Sequence, residues 1–506
     1  MIRRAVTLLS VLLIAVGLLW PAAARADRDT LSIGLSGIPD TMDPHLLWST
    51  TWMPSYYALY DALTVIGDNN DAQPNLAVSW KRLNPTTWEF KLRDKVKFHN
   101  GEPFTSESVK FTLDRVIDPA TKAAVKNRVP TIKAVEAVDP LTVRIVTAAP
   151  DPNIAKTVSV VFILPAKYAK EKGPAGFAEA PVGTGMFRLA EFRRNGHVKL
   201  EAVDNGWRPM PKVKTVIFKH LPENGTRIAA LRSGDVDFIN PVPPDEAAGL
   251  EKDGFKAAAS YTGWSYVIPL KGSTQAGSPL ANPKVRQALN YAVDKDAIIK
   301  YVLHGYGKPL AGQNVGQDGF GYNPALKPFP ADAARARELL KQAGYPNGFE
   351  ATWFGTVGFY PNDKQVIEAI VGDLAKVGVR VKLQTVDQGS FAKHLYGGTL
   401  SDLVLLRWTY FPSLDFDFVV NLNRCQNSTK LFCDERVDRM LDESRQASTP
   451  VAREKMLQKI SELLYEGPNA IYLFQPGSVS AMTGSVKGFR PRSEAILWLD
   501  TVEKEK

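Results

Sequence analysis

Residues 74–115 read PNLAVSWKRLNPTTWEFKLRDKVKFHNGEPFTSESVKFTLDR. Trp88, Phe90 and Leu92 alternate with Glu89, Lys91 and Arg93, and Val96 and Phe98 alternate with Lys95, Lys97 and His99. Period-two alternation predicts two half-buried strands. Asn100-Gly101 marks a tight turn after them. Beyond it, Thr105 or Ser106 can cap a helix that sets Val109, Thr112, Leu113 and Val116 on one face.

Working outward, the first 26 residues read as a secretion signal. Arg3 and Arg4 precede an apolar run from Val6 to Trp20, and Ala24-Arg25-Ala26 has the small-residue spacing of a cleavage site. The run is shorter than the roughly 20 residues that span a bilayer. No cysteine lies nearby to accept a lipid, so the expectation is a secreted, periplasmic chain beginning near Asp27. Its net charge of +9 falls to +6 once Arg3, Arg4 and Arg25 leave. Lys and Arg are scattered among acids, which gives nucleic-acid binding no support. Cys425 and Cys433 are the two cysteines, eight positions apart, and an oxidising compartment favours a disulfide between them.

Strand signals dominate to about Tyr266, at Leu31–Leu35, Thr142–Val146, Val198–Ala202 and Val213–Lys219. After Asn282-Pro283 helices take over, one running from Pro283 along Val285, Ala288, Leu289 and Ala292, another from Asp332 to Gly344. Phe349–Phe354, a helix bearing Val366, Ile370 and Leu374, and Val379–Val386 form a βαβ pattern, which implies a parallel pair. A short helix from Ser390 and a buried strand at Asp402–Leu406 follow.

The 74–115 block resembles the "LA-x-SW... F-x-LR-x-x-V-x-FH-x-G-x-P" stretch of the family 5 solute-binding proteins, the peptide, nickel and opine receptors of ABC importers. Further fragments agree in order: DTMDPHL (40–46), PVGTGMFRL (181–189), ALRSGDVDFI (230–239), PKVRQALNYAVDKDAII (283–299) and ARELLKQAGYPNGF (336–349). The resemblance implies an α/β, two-lobed periplasmic-binding-protein fold of type II, in its large cluster C form. The N-terminal lobe would span 27–266 with an extra subdomain at about 56–177, and the C-terminal α/β lobe 267–478. A tail, 479–506, would return to the first lobe. Two chain crossings would join the lobes, with Gly272 and Gly477 near them. The resemblance also implies a monomer that captures a small molecule, needs no cofactor, and delivers its load to ABC permease subunits.

Nothing in the chain argues for catalysis. The six histidines lack metal-ligand spacing, and neither HExxH, G-x-S-x-G nor a P-loop occurs. Asp235 with Asp237 and Asp415 with Asp417 read as structural pairs rather than a glycosidase couple. A receptor needs aromatic walls and a few fixed polar groups. Trp48, Ser49, Thr50, Thr51 and Trp52 offer these in one loop, and Trp264 stands near the first crossing. The stretch RWTYFPSLDFDF (407–418) follows a buried strand, so Trp408, Tyr410, Phe411 and Asp415 join the expected ligand-binding set.

Peptide receptors of this family commonly carry "W-x-x-D" at Trp408-Thr409-Tyr410-Phe411, the aspartate pairing with a peptide ammonium. Here Phe411 takes that place, and Asp415 compensates only if the loop is rearranged. Lys364 stands where some relatives hold a ligand carboxylate, and reads equally as a surface lysine in a first helical turn. The expectation is a peptide-like or opine-like solute, with a sugar or other neutral ligand as the alternative and a secreted two-lobed hydrolase as the competing class.

Overall fold

The computed structural model describes residues 29–261, 263–357, 360, 362–492 and 497–505. The segment read as a secretion signal, with its cleavage near Ala26, lies outside the described residues. Among the described residues no helix is long and apolar enough to cross a membrane.

The Trp88 strand forms as Thr87–Leu92, and pairs antiparallel with Ala77–Asn84 and Thr142–Thr147. Ile132–Asp139 completes a four-stranded sheet. Helix Ser106–Ile117 packs on that sheet and buries Val109, Thr112, Leu113 and Val116, as its 3.6-residue period requires. The second predicted strand does not form. Val96 and Phe98 are buried, but the chain turns at Lys95, whose φ is +62°, and leaves only an isolated bridge between Lys97 and Pro103. The true partner, Ala77–Asn84, is mostly exposed and shows little alternation to read.

The main sheet runs through both lobes. Thr30–Leu35 lies parallel to Thr215–His220 on one side and to Phe238–Val242 on the other. His197–Ala202 and Phe187–Arg193 extend the first side. Across from Phe238–Val242 comes the 13-residue strand Ala470–Met482, which is shared. Its last residues, Gly477 to Met482, pair with Lys256–Tyr261 in the first lobe. Its first residues pair with Trp264–Pro269 in the second, which in turn carries Leu406–Thr409. The pairing along the shared strand therefore changes from Lys256–Tyr261 to Trp264–Pro269 near Gly477. Gly272 lies beyond Trp264–Pro269, in the turn Lys271–Thr274.

The predicted βαβ unit is present: Phe349–Gly355 pairs parallel with Val379–Thr385, connected by helix Asp363–Lys376. The strand expected at 402–406 begins four residues later, at Leu406, with Leu403 making a single parallel bridge to Trp353. Cys425 and Cys433 form a disulfide. Past Met482 the chain stays on the first lobe. Leu497, Leu499 and Val502 enter its core, and Lys504 Nζ reaches Thr30 O at 3.1 Å and Asp237 at 3.0 Å.

Two of the fragments quoted above prove to be architectural. In 40–46, buried Asp43 and His45 both take hydrogen bonds from Arg115, while His45 Nε2 donates to Phe162 O at 2.8 Å. In 181–189, Gly183 and Gly185 lie against the end of helix Met53–Leu59. A methyl at Gly183 would stand 2.1 Å from Leu59 O, and one at Gly185 2.4 Å from Ala58 O. Backbone cannot yield as a side chain does, so Gly185→Ala should lower stability by about 1–3 kcal/mol in denaturant unfolding. A variant as stable as the parent would show that the loop shifts freely.

Candidate functional site

Three strands build one wall of the interlobe cleft, and their pleat decides which side chains face it. Trp264 and Tyr266 share a face. Tyr266 stands opposite Arg407 and Phe474, and Trp264 opposite Thr409. Arg407, Tyr266, Trp264 and Phe474 consequently line a cavity of about 170 Å³. The first lobe closes it with Ser36, Thr50, Thr51 and Asn240. Pro476 and Gly477 of the shared strand lie at its edge, so the cavity sits where that strand changes partners.

Arg407 is the chemical centre of this cavity. Its guanidinium lies 4.0 Å from the Trp264 ring centroid and 4.9 Å from that of Tyr360. Among the described residues it has no carboxylate within the 4.0 Å of an ion pair, and its Nε is buried without a hydrogen-bond partner. Aromatic faces attract a cation by about 0.5–2 kcal/mol. That does not replace the solvation lost on burial, which a charged partner would restore. A planar guanidinium without an acid partner suits a carboxylate, which it can bind through two parallel hydrogen bonds. Burial pushes the Tyr266 hydroxyl well above its ordinary pKa and Arg407 pulls it back, so the phenol stays neutral.

Of the residues singled out in the sequence, Thr50, Thr51 and Trp264 line this cavity. Ser49 does local work, its Oγ accepting from Thr51 N at 3.2 Å. Trp48 lies beneath another guanidinium, that of Arg128, at 3.7 Å, and Trp52 packs against the core ahead of helix Met53–Leu59.

The 408–415 group goes elsewhere, for a simple reason. Alternation along Leu406–Thr409 sends Arg407 and Thr409 to the cleft, and Trp408 to the opposite face. Trp408 packs against the apolar clusters there. Tyr410 is fully buried, its hydroxyl donating to Asp318 Oδ1 at 2.8 Å. Phe411 is 1% exposed and belongs to the core. Asp415 cannot serve as a substitute ammonium anchor as it stands: Arg453 holds both of its oxygens, and one of them also caps helix Phe416–Asn421. Lys364 is exposed on its helix, 4.0 Å from Glu368. Arg407 is absent from the set read in the sequence: alternation puts it on the face opposite Trp408, but only the pairing with Trp264–Pro269 identifies that face as the cleft.

A second interlobe cavity, of about 490 Å³, lies between the four-stranded subdomain and the helices after Asp415. Arg82 spans the boundary here, donating to Arg445 O at 2.9 Å. Among the described residues no group of three or more His, Cys, Asp or Glu could hold a metal ion.

Known proteins place this geometry. The model of bacterial extracellular solute-binding proteins, family 5, matches residues 71–430. The glutathione-binding protein GsiB of Escherichia coli K12 is 29% identical over 496 residues, covering 94% of this chain and 95% of that one. Among solved structures, HbpA2 from Haemophilus parasuis superposes with a TM-score of 0.85 at 25% identity, covering 94% of this chain and all of that one. AgaA of A. tumefaciens R10, in complex with agropinic acid, gives 0.76 at 28% identity, covering 94% and 99%. A two-lobed fold with an interlobe cavity, matched over most of its length by these receptors, makes this chain a bacterial extracellular solute-binding protein of family 5, the substrate-binding component of an ABC importer.

Proposed function

We propose that this receptor captures a small acidic solute, peptide-like or opine-like, through a carboxylate held by Arg407. The observation that carries the reading is a guanidinium facing the interlobe cavity between aromatic rings, with no acid partner among the described residues. The names of two relatives point the same way, since one binds glutathione and the other is complexed with agropinic acid. Trp264, Thr50 and Thr51 complete the site on this reading, the tryptophan as a wall and the hydroxyls as donors from the opposite lobe. Binding draws the lobes together only to the extent that the solute prefers the closed form. The closed form is then presented to permease subunits by a periplasmic monomer, with the solute released unaltered and no cofactor required.

The test is calorimetric titration of the parent and of Arg407→Met with glutathione, agropinic acid and their carboxamides. A hydrogen bond to a charged group is worth about 1.5–3 kcal/mol, so the acids should bind the variant about 10- to 100-fold more weakly. The carboxamides should bind the parent poorly. Equal binding of acids and carboxamides would instead support the neutral-ligand reading, for which the Trp264 and Tyr266 wall would suffice.

A further inference from the structure

A second arginine lies at the lobe boundary with its charge largely unspent. Arg128 ends the turn Ala124–Arg128, which is tied down by Val125 N donating to His45 O at 3.3 Å and Lys126 Nζ donating to Ile117 O at 2.8 Å. Its guanidinium lies 3.7 Å from the Trp48 ring centroid. Among the described residues its guanidinium makes one hydrogen bond, from Nη1 to Phe411 O in the second lobe, and at 3.5 Å it is at the long limit. Among the described residues no carboxylate lies within 4.0 Å of it. Burial lowers its pKa to about 10, with Tyr396 pulling the other way. A guanidinium presents five donors in a rigid fork, and here one of them is weakly used.

Position along the chain connects Arg128 to the Arg407 site. Arg128 meets the second lobe at Phe411, four residues after Arg407, on the strand Leu406–Thr409 and its continuation. At about 3.3 Å per residue, the Cα atoms of Arg407 and Phe411 are at most about 13 Å apart. One short segment of the second lobe thus carries Arg407 and receives the hydrogen bond of Arg128. Phe411 supplies only a carbonyl, and among the described residues no second-lobe carboxylate pairs with Arg128 there.

We infer that Arg128 is a second carboxylate anchor, so that the preferred solute is an elongated dianion with acid groups near both ends, one on each arginine. The inference rests on the Arg407 reading and adds to it the charge and length of the solute. Trp48 acts as a positioning residue that holds the Arg128 fork flat. Because Arg128 belongs to the first lobe and Arg407 to the second, a dianion long enough to reach both ties the lobes together. A monoanion does not.

The experiment is a double-mutant cycle between protein and probe. Parent, Arg128→Gln and Arg128→Lys would be titrated with glutathione, which carries two carboxylates, and with its two monoamides. Arg128→Gln should bind glutathione about 10- to 100-fold more weakly than the parent. It should bind one monoamide, that lacking the carboxylate meant for Arg128, within about twofold of the parent. Arg128→Lys should fall between, keeping the charge and losing the fork. Equal weakening for diacid and both monoamides would make Arg128 a lobe clasp and overturn the inference, as would no weakening at all. A parent that binds a monoamide as tightly as the diacid, with Arg407→Met weak for both, would overturn it while leaving the Arg407 reading in place. Failure of every acid probe to bind the parent would sink both.

Discussion

Arg453→Leu should destabilise this protein by about 3–5 kcal/mol, the usual result of removing one partner from a buried ion pair. Arg453 lies on helix Pro450–Glu466 and is 4% exposed. Its guanidinium approaches Asp415 at 2.5 and 3.1 Å and Asp417 at 3.3 Å. Arg445 grips Asp417 from the other side at 2.7 and 2.8 Å. Burial pushes the Asp417 pKa up, but Arg445 and Arg453 prevail and hold it below the ordinary carboxylate range. The four charges cancel, and removing one cation leaves Asp415 buried with its compensation gone. The paired change, Asp415→Leu with Arg453→Leu, should recover much of the loss, because well-packed apolar residues replace a buried pair at little cost. Urea unfolding of the three variants checks both claims. A single variant within 1 kcal/mol of the parent would show that Asp415 does not depend on Arg453.

Acid should act through His45. Burial lowers its pKa from 6.5 to about 4, outweighing the raising effect of Asp43, while Arg115 lowers it further. The ring is held neutral, Nε2 donating to Phe162 O and Nδ1 accepting from Arg115. In the unfolded chain the same ring takes a proton near pH 6.5. As pH falls from 6.5 to 4 the unfolded state therefore binds a proton that the folded state refuses, and stability drops. At about 1.4 kcal/mol per pH unit, the full loss is about 3 kcal/mol, and above pH 6.5 the contribution vanishes. Other groups titrate in this range, so the quantity to measure is the difference in unfolding free energy between the parent and His45→Gln from pH 7 to 4. The difference should shrink or reverse in acid. A constant difference would mean that His45 titrates alike in the folded and unfolded chain.

The chain's organisation was legible where the signal is local and periodic. The helix at Ser106–Ile117, the cap at Asn282 and the parallel pair flanking Asp363–Lys376 all follow from spacing. Pairing was less legible. Ala77–Asn84 offers little alternation because both of its faces are largely exposed, and Lys95 ends a promising pattern through a single positive φ. The site was half visible. Thr50, Thr51 and Trp264 stand at the cavity, whereas Trp408 and Tyr410 drew notice for being aromatic and were turned inward by the pleat. Arg407 drew none, because an arginine beside a tryptophan in a strand reads as a surface residue until its neighbours across the sheet are known. Asp415 illustrates the reverse. Its acid was visible, but Arg453, 38 residues later, decides what it does.

The shared strand Ala470–Met482 also sets an order of events during synthesis. Phe238–Val242 and Lys256–Tyr261 both pair with residues that emerge more than 200 positions later. At 5–20 residues per second, the ribosome takes roughly 10–50 s to make that stretch. Throughout that interval the first lobe has an unfilled edge, and Lys256–Tyr261 has no strand partner among the described residues. The lobe that begins the chain is thus completed only by the segment that ends it.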